Sequence, residues 1–264
     1  LIVIAAAEDN LPLAITRAVS PRFNECEITH IDRSHIDVKI AQSQHDEYVQ
    51  ALNALGCSVL ELPAEADLPD SVFVEDTAVV LSDVALITKP GADSRKPETE
   101  SIARVLRPYR ELVFIESPAT VDGGDVLILG KNIFVGLSTR SSSQAIEQMN
   151  QLLGKFGYKT QGVHLHDCLH LKSAVTRVDD NNTLLINRNW VIVENFEGYD
   201  LIDTDPSEPF AANCLPINGS IIYPTSFPKT AAILKSHGYK IKPVVVDELA
   251  KAEGAVTCCS LIVS

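Results

Sequence analysis

Apolar and polar positions follow a repeating order along this chain. A short apolar stretch leads through a turn to a second one. An amphipathic segment at helical spacing comes next, then a third apolar stretch. The joint before the third stretch marks the repeat. It reads Leu55-Gly56-Cys57-Ser58, Pro108-Tyr109-Arg110-Glu111, Phe156-Gly157-Tyr158, Glu197-Gly198-Tyr199 and His237-Gly238-Tyr239. These joints lie about 40–50 residues apart, a period typical of radially repeated architectures. Glycine just past a helix predicts a left-handed cap, and the aromatic or apolar residues after it suit a strand.

The segments between the joints agree with that order. Ala41, His45, Tyr48, Leu52 and Leu55 predict one face of a first helix. Ala145, Met149, Leu152 and Phe156 predict another, with Ser141-Ser142-Ser143 positioned to cap it. Pro97 and Pro228 fit helix starts, where a missing N–H costs nothing. Gly124–Leu129 with Ile133–Leu137, and Ala212–Ile217 with Ser220–Tyr223, predict hairpins; Asn218-Gly219 is a strong turn signal for the second. Five joints imply five units. The first lacks a strand before Ala14–Val19, while Cys259–Val263 is a spare strand at the other end. Pairing the two ends would remove exposed sheet edges. The expected fold is therefore a five-unit α/β propeller, ring-closed by its terminal strands and forming one domain over residues 1–264. An open α/β sheet is the competing arrangement.

Composition narrows the class. The 264 residues are 45% hydrophobic and 22% charged, the balance of a globular protein. The net charge of −13 disfavours nucleic acid and anionic membrane as partners and is compatible with a small cationic ligand. No apolar run approaches the ~20 residues that span a bilayer. The opening Leu1–Ala7 is short, lacks a basic flank, and reads as a strand or leader fragment rather than a signal peptide. Six scattered cysteines suggest reduced thiols in a cytoplasm rather than a disulfide scaffold. A homodimer is compatible with all of this.

Some residues carry candidate chemistry. Cys258 and Cys259 head the last apolar run; most such cysteines are core residues, but a thiolate is also the strongest side-chain nucleophile. His170 sits between Leu169 and Leu171. Glu75 and Asp76 interrupt an apolar run, and Asp122 precedes Gly123-Gly124. If residues 71–76 form a strand, Phe73 and Glu75 face one way and Val74 and Asp76 the other, so at most one acid meets a ligand unless the strand ends there. His164, His166, Cys168 and His170 at alternate positions suggest zinc, but on a straight strand they diverge by roughly 7 Å per step.

Several stretches together resemble the dimethylarginine dimethylaminohydrolases, of the superfamily that includes arginine deiminases and amidinotransferases. They are Pro69–Val80, Ile87–Ala92 with Ser94-Arg95, Val121–Leu127, Phe134–Arg140, Leu169–Ser173, Ala211–Cys214 and Thr257–Ser260, in the family's order. The resemblance implies a five-bladed α/β propeller, the pentein fold, and no cofactor or metal. It implies Cys258 as nucleophile, His170 as acid and base, and Asp122 as the carboxylate that orients His170. For substrate binding it implies Asp70, Phe73, Glu75 and Asp76 near the guanidinium, and Arg95 and Arg140 on the carboxylate. Ser173 and Glu253 join the binding set, and Ile28 falls at the lid. Glu253 stands where the family usually has Asp, so a longer carboxylate is expected to crowd the nitrogen side of the pocket.

The implied reaction suits these residue types. Carboxylates can hold and polarise a delocalised guanidinium. A thiolate can attack its central carbon, and a histidine near neutral pKa can protonate the departing amine. The expected activity is hydrolysis of free Nω-methylated arginine to citrulline through a covalent thiouronium. A related guanidine hydrolase, a silent binding protein for a cationic amino acid and a zinc module are the competing readings.

Overall fold

The computed structural model describes residues 11–264, so the reading of Leu1–Ala7 lies outside the described residues. The strands are β1 (Leu13–Arg17), β2 (Ser58–Leu62), β3 (Ala78–Val80), β4 (Val84–Ile87), β5 (Glu111–Phe114), β6 (Val126–Leu129), β7 (Asn132–Leu137) and β8 (Lys159–His164). They continue as β9 (Val175–Arg177), β10 (Thr183–Ile186), β11 (Asp200–Asp203), β12 (Leu215–Ile217), β13 (Ser220–Pro224), β14 (Lys240–Val244) and β15 (Leu261–Val263). They form five three-stranded sheets. In four of them the strands follow chain order, the first antiparallel to the second and the second parallel to the third. The remaining sheet has the order β15-β1-β2 and the same pattern of directions, because β15 occupies the position of a first strand. Leu13 pairs with Val263 and Ile15 with Leu261, so the two ends of the described chain share one sheet.

The parallel steps need crossovers of a dozen or more residues. α1 (Val38–Ala54) lies between β1 and β2, α2 (Glu98–Leu106) between β4 and β5, and α3 (Ser143–Leu153) between β7 and β8. Two short helices follow: α4 (Leu171–Ala174), which leads into β9, and, after α5 (Pro228–Ser236) between β13 and β14, α6 (Asp247–Ala250). The fourth crossover departs from the expected unit. Between β10 and β11 there is only a 3-10 turn, Val193–Phe196. The stretch Val191-Ile192-Val193 is β-branched, which lowers its helix propensity.

Local signals account for most boundaries. Gly56, Gly157, Gly198 and Gly238 all adopt the left-handed conformation, with φ of 82–90°, as their place before a strand requires. Asn218 and Gly219 both have positive φ and close the β12–β13 hairpin. α1 buries Ala41, His45, Tyr48 and Leu52 as expected, and Asp37 caps it by accepting from Lys39 N and Ile40 N. On α3 the stripe is wider than expected: Ala145 and Met149 are buried together with Leu153, and Leu152 and Phe156 pack half-buried against the same cluster. Ser142 occupies the N-cap of α3 but its hydroxyl caps nothing there; it accepts from Thr120 N and donates to Thr120 O, tying the helix entry to the preceding loop. The apolar core is distributed, with several clusters packed between neighbouring sheets and their helices.

Because Asp37 satisfies two amides at the start of the longest helix, Asp37→Ala is expected to lower stability by about 1 kcal/mol. Urea unfolding followed by circular dichroism measures this; a change within error would mean that packing, not the cap, sets the start of α1.

Candidate active site

The chain enters the first strand of every sheet through a turn, and the candidate residues other than Ile28, Arg95 and Arg140 lie in these turns. Glu75 and Asp76 precede β3, Asp122–Asp125 precede β6, and His170–Ser173 precede β9. Asn213 precedes β12 and Thr257–Cys259 precede β15. Hydrogen bonds run from each turn to the next and from the last back to the first. Gly124 N donates to Asp76 Oδ1 (2.8 Å), and Leu171 N donates to Asp125 Oδ1 (3.0 Å). Asn213 Nδ2 donates to Lys172 O and to Thr257 Oγ1, each at 3.0 Å, and Thr257 Oγ1 donates to Glu75 Oε2 (2.8 Å). Glu75 N in turn donates to Cys258 O (3.1 Å).

The strand alternation expected over residues 71–76 does not apply, because Val74–Thr77 form a 3-10 turn and β3 starts only at Ala78. The turn buries both acids and sends them to different places. Asp76 lines a narrow cavity with Glu27, Asp70, Phe73, Arg95, Arg140, Leu169, His170, Ala252, Glu253, Gly254 and Cys258. Glu75 instead lines a cavity of about 390 Å³ on the side of the first strands, ion-paired with Lys172. Ser173 lines neither; it borders a third cavity of about 310 Å³ with Leu169, Phe210 and Glu253. Ile28 is partly buried against the core cluster that contains Phe73 and Cys258.

The glycines around the site permit close approaches. A Cβ on Gly124 would lie 2.6 Å from His170 Nδ1 and 2.8 Å from Asp76 Oδ1, and one on Gly123 would lie 1.9 Å from Glu75 O. The Asp122-Gly-Gly sequence is thus more than a turn before a strand. On the far side Gly254 meets Phe73, whose ring lies 2.2–2.3 Å from an added Cβ.

The electrostatics follow from burial. His170 Nε2 lies 3.2 Å from Asp122 Oδ2, while Gly91 N donates to the other Asp122 oxygen at 2.8 Å. Burial alone would push the imidazole down, but Asp76, Asp122 and Asp125 outweigh it and raise His170 to about 9. Asp76, despite burial, is held down to about 2 by His170 and Arg95. Burial, with Glu75 and Asp76 nearby, raises the Cys258 thiol; Ala255 N, which donates to its sulfur at 3.4 Å, and Lys172 pull the other way. These directions favour a neutral thiol and a protonated imidazole, both lining the same narrow cavity. Cys259 is fully buried, and burial raises its thiol strongly as well.

Arg95 is extensively engaged. Its Nε and Nη2 donate to the two oxygens of Glu98 (3.1 and 2.8 Å), Nη1 to Asp76, and Nη2 also to Phe73 O and Asp70 O. Arg140 is freer: Nη2 donates to Thr29 Oγ1 (2.8 Å), and Nη1 is 3.9 Å from Asp122. Glu253 differs from expectation. Its carboxylate accepts from Thr29 N (2.8 Å), His30 N and Ile31 N (3.1 Å). The extra methylene thus reaches the 28–31 loop. The residue adopts a left-handed φ of 60°, a strained state held in place by these bonds.

Sequence reasoning missed Glu27, which lines the narrow cavity and accepts from Ser94 Oγ at 2.6 Å. It also missed Lys172, Asn213 and Asp125 as joints between turns. No periodic pattern marks them; their partners are remote in sequence. The residues 164–170 do not form a metal cluster. β8 ends at His164, Asp167 turns the chain with φ 52°, His164 and His166 are exposed, and Cys168 bonds to His170 O. Asp76, Asp122 and His170 do offer ligand atoms within 4.8 Å of one another.

The model for "N,N dimethylarginine dimethylhydrolase, eukaryotic" matches residues 22–186, well over half of the chain. A dimethylarginine dimethylaminohydrolase from Streptomyces coelicolor is 37% identical over 94% of this chain and 95% of its own. The chain belongs to the dimethylarginine dimethylaminohydrolase family. Two solved structures of that family share its fold. One is the enzyme from Pseudomonas aeruginosa, a Cys-to-Ser variant in complex with citrulline, at 31% identity with TM-score 0.89 over 95% of this chain and 98% of the other. The second is a dimethylarginine dimethylaminohydrolase His-to-Gly variant as its adduct with S-methyl-L-thiocitrulline, at 32% identity and TM-score 0.90 over the same shares of the two chains. Among the described residues, no helix is long and apolar enough to cross a membrane.

The proton held by His170 stabilises the folded state. Its pKa is raised from 6.5 to about 9, so the contribution is complete below about pH 6.5 and lost as pH rises through about 9. Stability by urea denaturation is expected to fall across that window, and the fall to shrink in His170→Gln; an unchanged slope would show that other groups cause it.

Proposed function

We propose that this chain hydrolyses free Nω-methylated arginine to citrulline and methylamine or dimethylamine. The observation that carries the reading is the convergence of Cys258, His170 and Asp76 on one cavity, in a chain whose relatives include enzymes of that name. The five sheets are read as the blades of a closed propeller formed by the whole chain, 1–264, as one domain. The β1–β15 pairing and the cycle of hydrogen bonds between entry turns support that reading.

Binding comes first. The cavity encloses only about 20 Å³, room for little more than one water. A guanidine enters only if the loop around Ile28 moves aside, and Glu253, bonded to three amides of that loop, is the latch. Asp76 and Asp70 meet the guanidinium, with Phe73 packed beside it. Arg140, the less engaged of the two arginines, takes the substrate carboxylate; Arg95 chiefly holds Asp76 in position. Glu75 and Ser173 act at one remove, Glu75 through Thr257 and the backbone of Cys258.

The chemistry follows from the charges. The raised thiol releases its proton to solvent when a cation next to Asp76 replaces the missing positive charge, since His170 already carries one. The thiolate sulfur then forms a bond to the guanidinium carbon. As the C–N bond to the methylated nitrogen breaks, imidazolium His170 gives that nitrogen its proton and the amine departs. The neutral imidazole next takes a proton from water as its oxygen attacks the thiouronium carbon. The C–S bond breaks, the departing sulfur takes the proton left on the attacking oxygen, the ureido group of citrulline remains, and Cys258 and His170 return to their starting states. Asp122 keeps the imidazole oriented throughout.

Citrulline formation from equal concentrations of asymmetric dimethylarginine, monomethylarginine, arginine and agmatine tests the substrate. The methylated arginines should be turned over fastest, and Cys258→Ser should abolish turnover while leaving binding. Comparable turnover of unmodified arginine would leave only a wider guanidine-hydrolase class; binding without turnover in the parent protein would favour the silent binding protein.

Arg140→Ala is expected to raise KM for dimethylarginine by about 10–100-fold, the loss of a charge-assisted hydrogen bond. Binding of agmatine, which has no carboxylate, should change little. Equal losses for both ligands would mean that Arg140 shapes the site without meeting a carboxylate.

A further inference from the structure

Away from the active site, one buried side chain has no visible role. His45 on α1 is fully buried, and neither ring nitrogen has a hydrogen-bond partner among the described residues. Its neighbours are acidic. A ligand nitrogen of His45 and carboxylate oxygens of Asp46 and Glu61 lie within 4.8 Å of one another. Asp46 is the next residue on α1, and Glu61 comes from β2, the strand that α1 leads into. Both carboxylates are exposed, and neither is ion-paired to a lysine or arginine among the described residues. Asp46 is also oriented: Gln42 Nε2 donates to its Oδ1 at 2.7 Å, while Gln42 Oε1 accepts from Val19 N at 3.0 Å.

We propose that His45, Asp46 and Glu61 form a binding site for a divalent transition-metal ion, tested here as zinc, that joins α1 to β2. The donor set is one imidazole nitrogen and two carboxylate oxygens, which suits zinc with a water in the fourth position. Tetrahedral bonds of about 2.0–2.2 Å bring ligand atoms to about 3.3 Å from one another. The exposed carboxylates can make that adjustment around a fixed imidazole. Burial keeps His45 neutral, down to about 4, so the ring is in its ligating form at neutral pH. Glu61 is raised by burial and by Asp46, the repulsion that a shared cation would relieve. Gln42 plays the part of an outer-shell partner that fixes a ligand's orientation.

The test uses the full chain carrying Cys258→Ser, since a thiol beside His170 is itself a potential zinc ligand. Equilibrium dialysis with zinc should give one ion per chain, and zinc should raise the melting temperature. Added singly in that background, Glu61→Gln and Asp46→Asn should each weaken binding by about tenfold or more. Both positions are exposed, so the variants are expected to fold. Zinc should also shift the ring nitrogen resonances of His45 in a histidine-labelled sample. Failure to bind zinc at micromolar concentration would overturn the proposal. So would binding that survives both substitutions without shifting the His45 ring, because the ion would then sit on other histidines.

Discussion

Polar turns that meet at the centre of a protein must satisfy one another, and this constraint organises the molecule. The segments before β3, β6, β9, β12 and β15 bring amides, carboxylates, an ammonium and a carboxamide into a region largely closed to water. An unpartnered buried polar group is costly. The cycle from Asp76 to Gly124, from Asp125 to Leu171, from Lys172 to Asn213, and through Thr257 back to Glu75 meets that demand. Each of the five sheets sends a turn to this cycle. Placement of Cys258, His170 and Asp76 around one cavity thus follows from the arrangement that makes the centre stable.

Charge follows the same logic. Arg95 is among the most buried cations in the chain, and Asp76 and Glu98 neutralise it while the carbonyls of Asp70 and Phe73 take its other N–H groups. Asp76 is thereby kept ionised, and it keeps His170 protonated. Burial, with Glu75 and Asp76 nearby, favours Cys258 as a thiol. In the proposed mechanism, a site at rest with a neutral nucleophile and a charged acid is set to respond to a cation, and a guanidinium provides the charge that the thiolate needs as well as the carbon it attacks. Glu253 adds a long-range tie: a residue of left-handed φ that lines the same cavity as Cys258 accepts from three amides of the 29–31 segment.

The sequence by itself determined the unit and the family. Left-handed glycines at 56, 157, 198 and 238, the Asn218-Gly219 hairpin and the helical stripes are local features, readable because backbone strain and side-chain period act within a few residues. The motifs around Asp76, Asp122, His170 and Cys258 each span several residues and match a family in order. Tertiary structure decided where side chains point when no period constrains them. The 3-10 turn at Val74–Thr77 separates Glu75 from Asp76, and Glu253 reaches a loop more than two hundred residues away in sequence. Arg95 is engaged by acids from two elements, and the fourth crossover proceeds without an α-helix. In these places the outcome depends on partners brought together only by folding, and a sequence pattern carries no direction for a side chain whose partner is far along the chain.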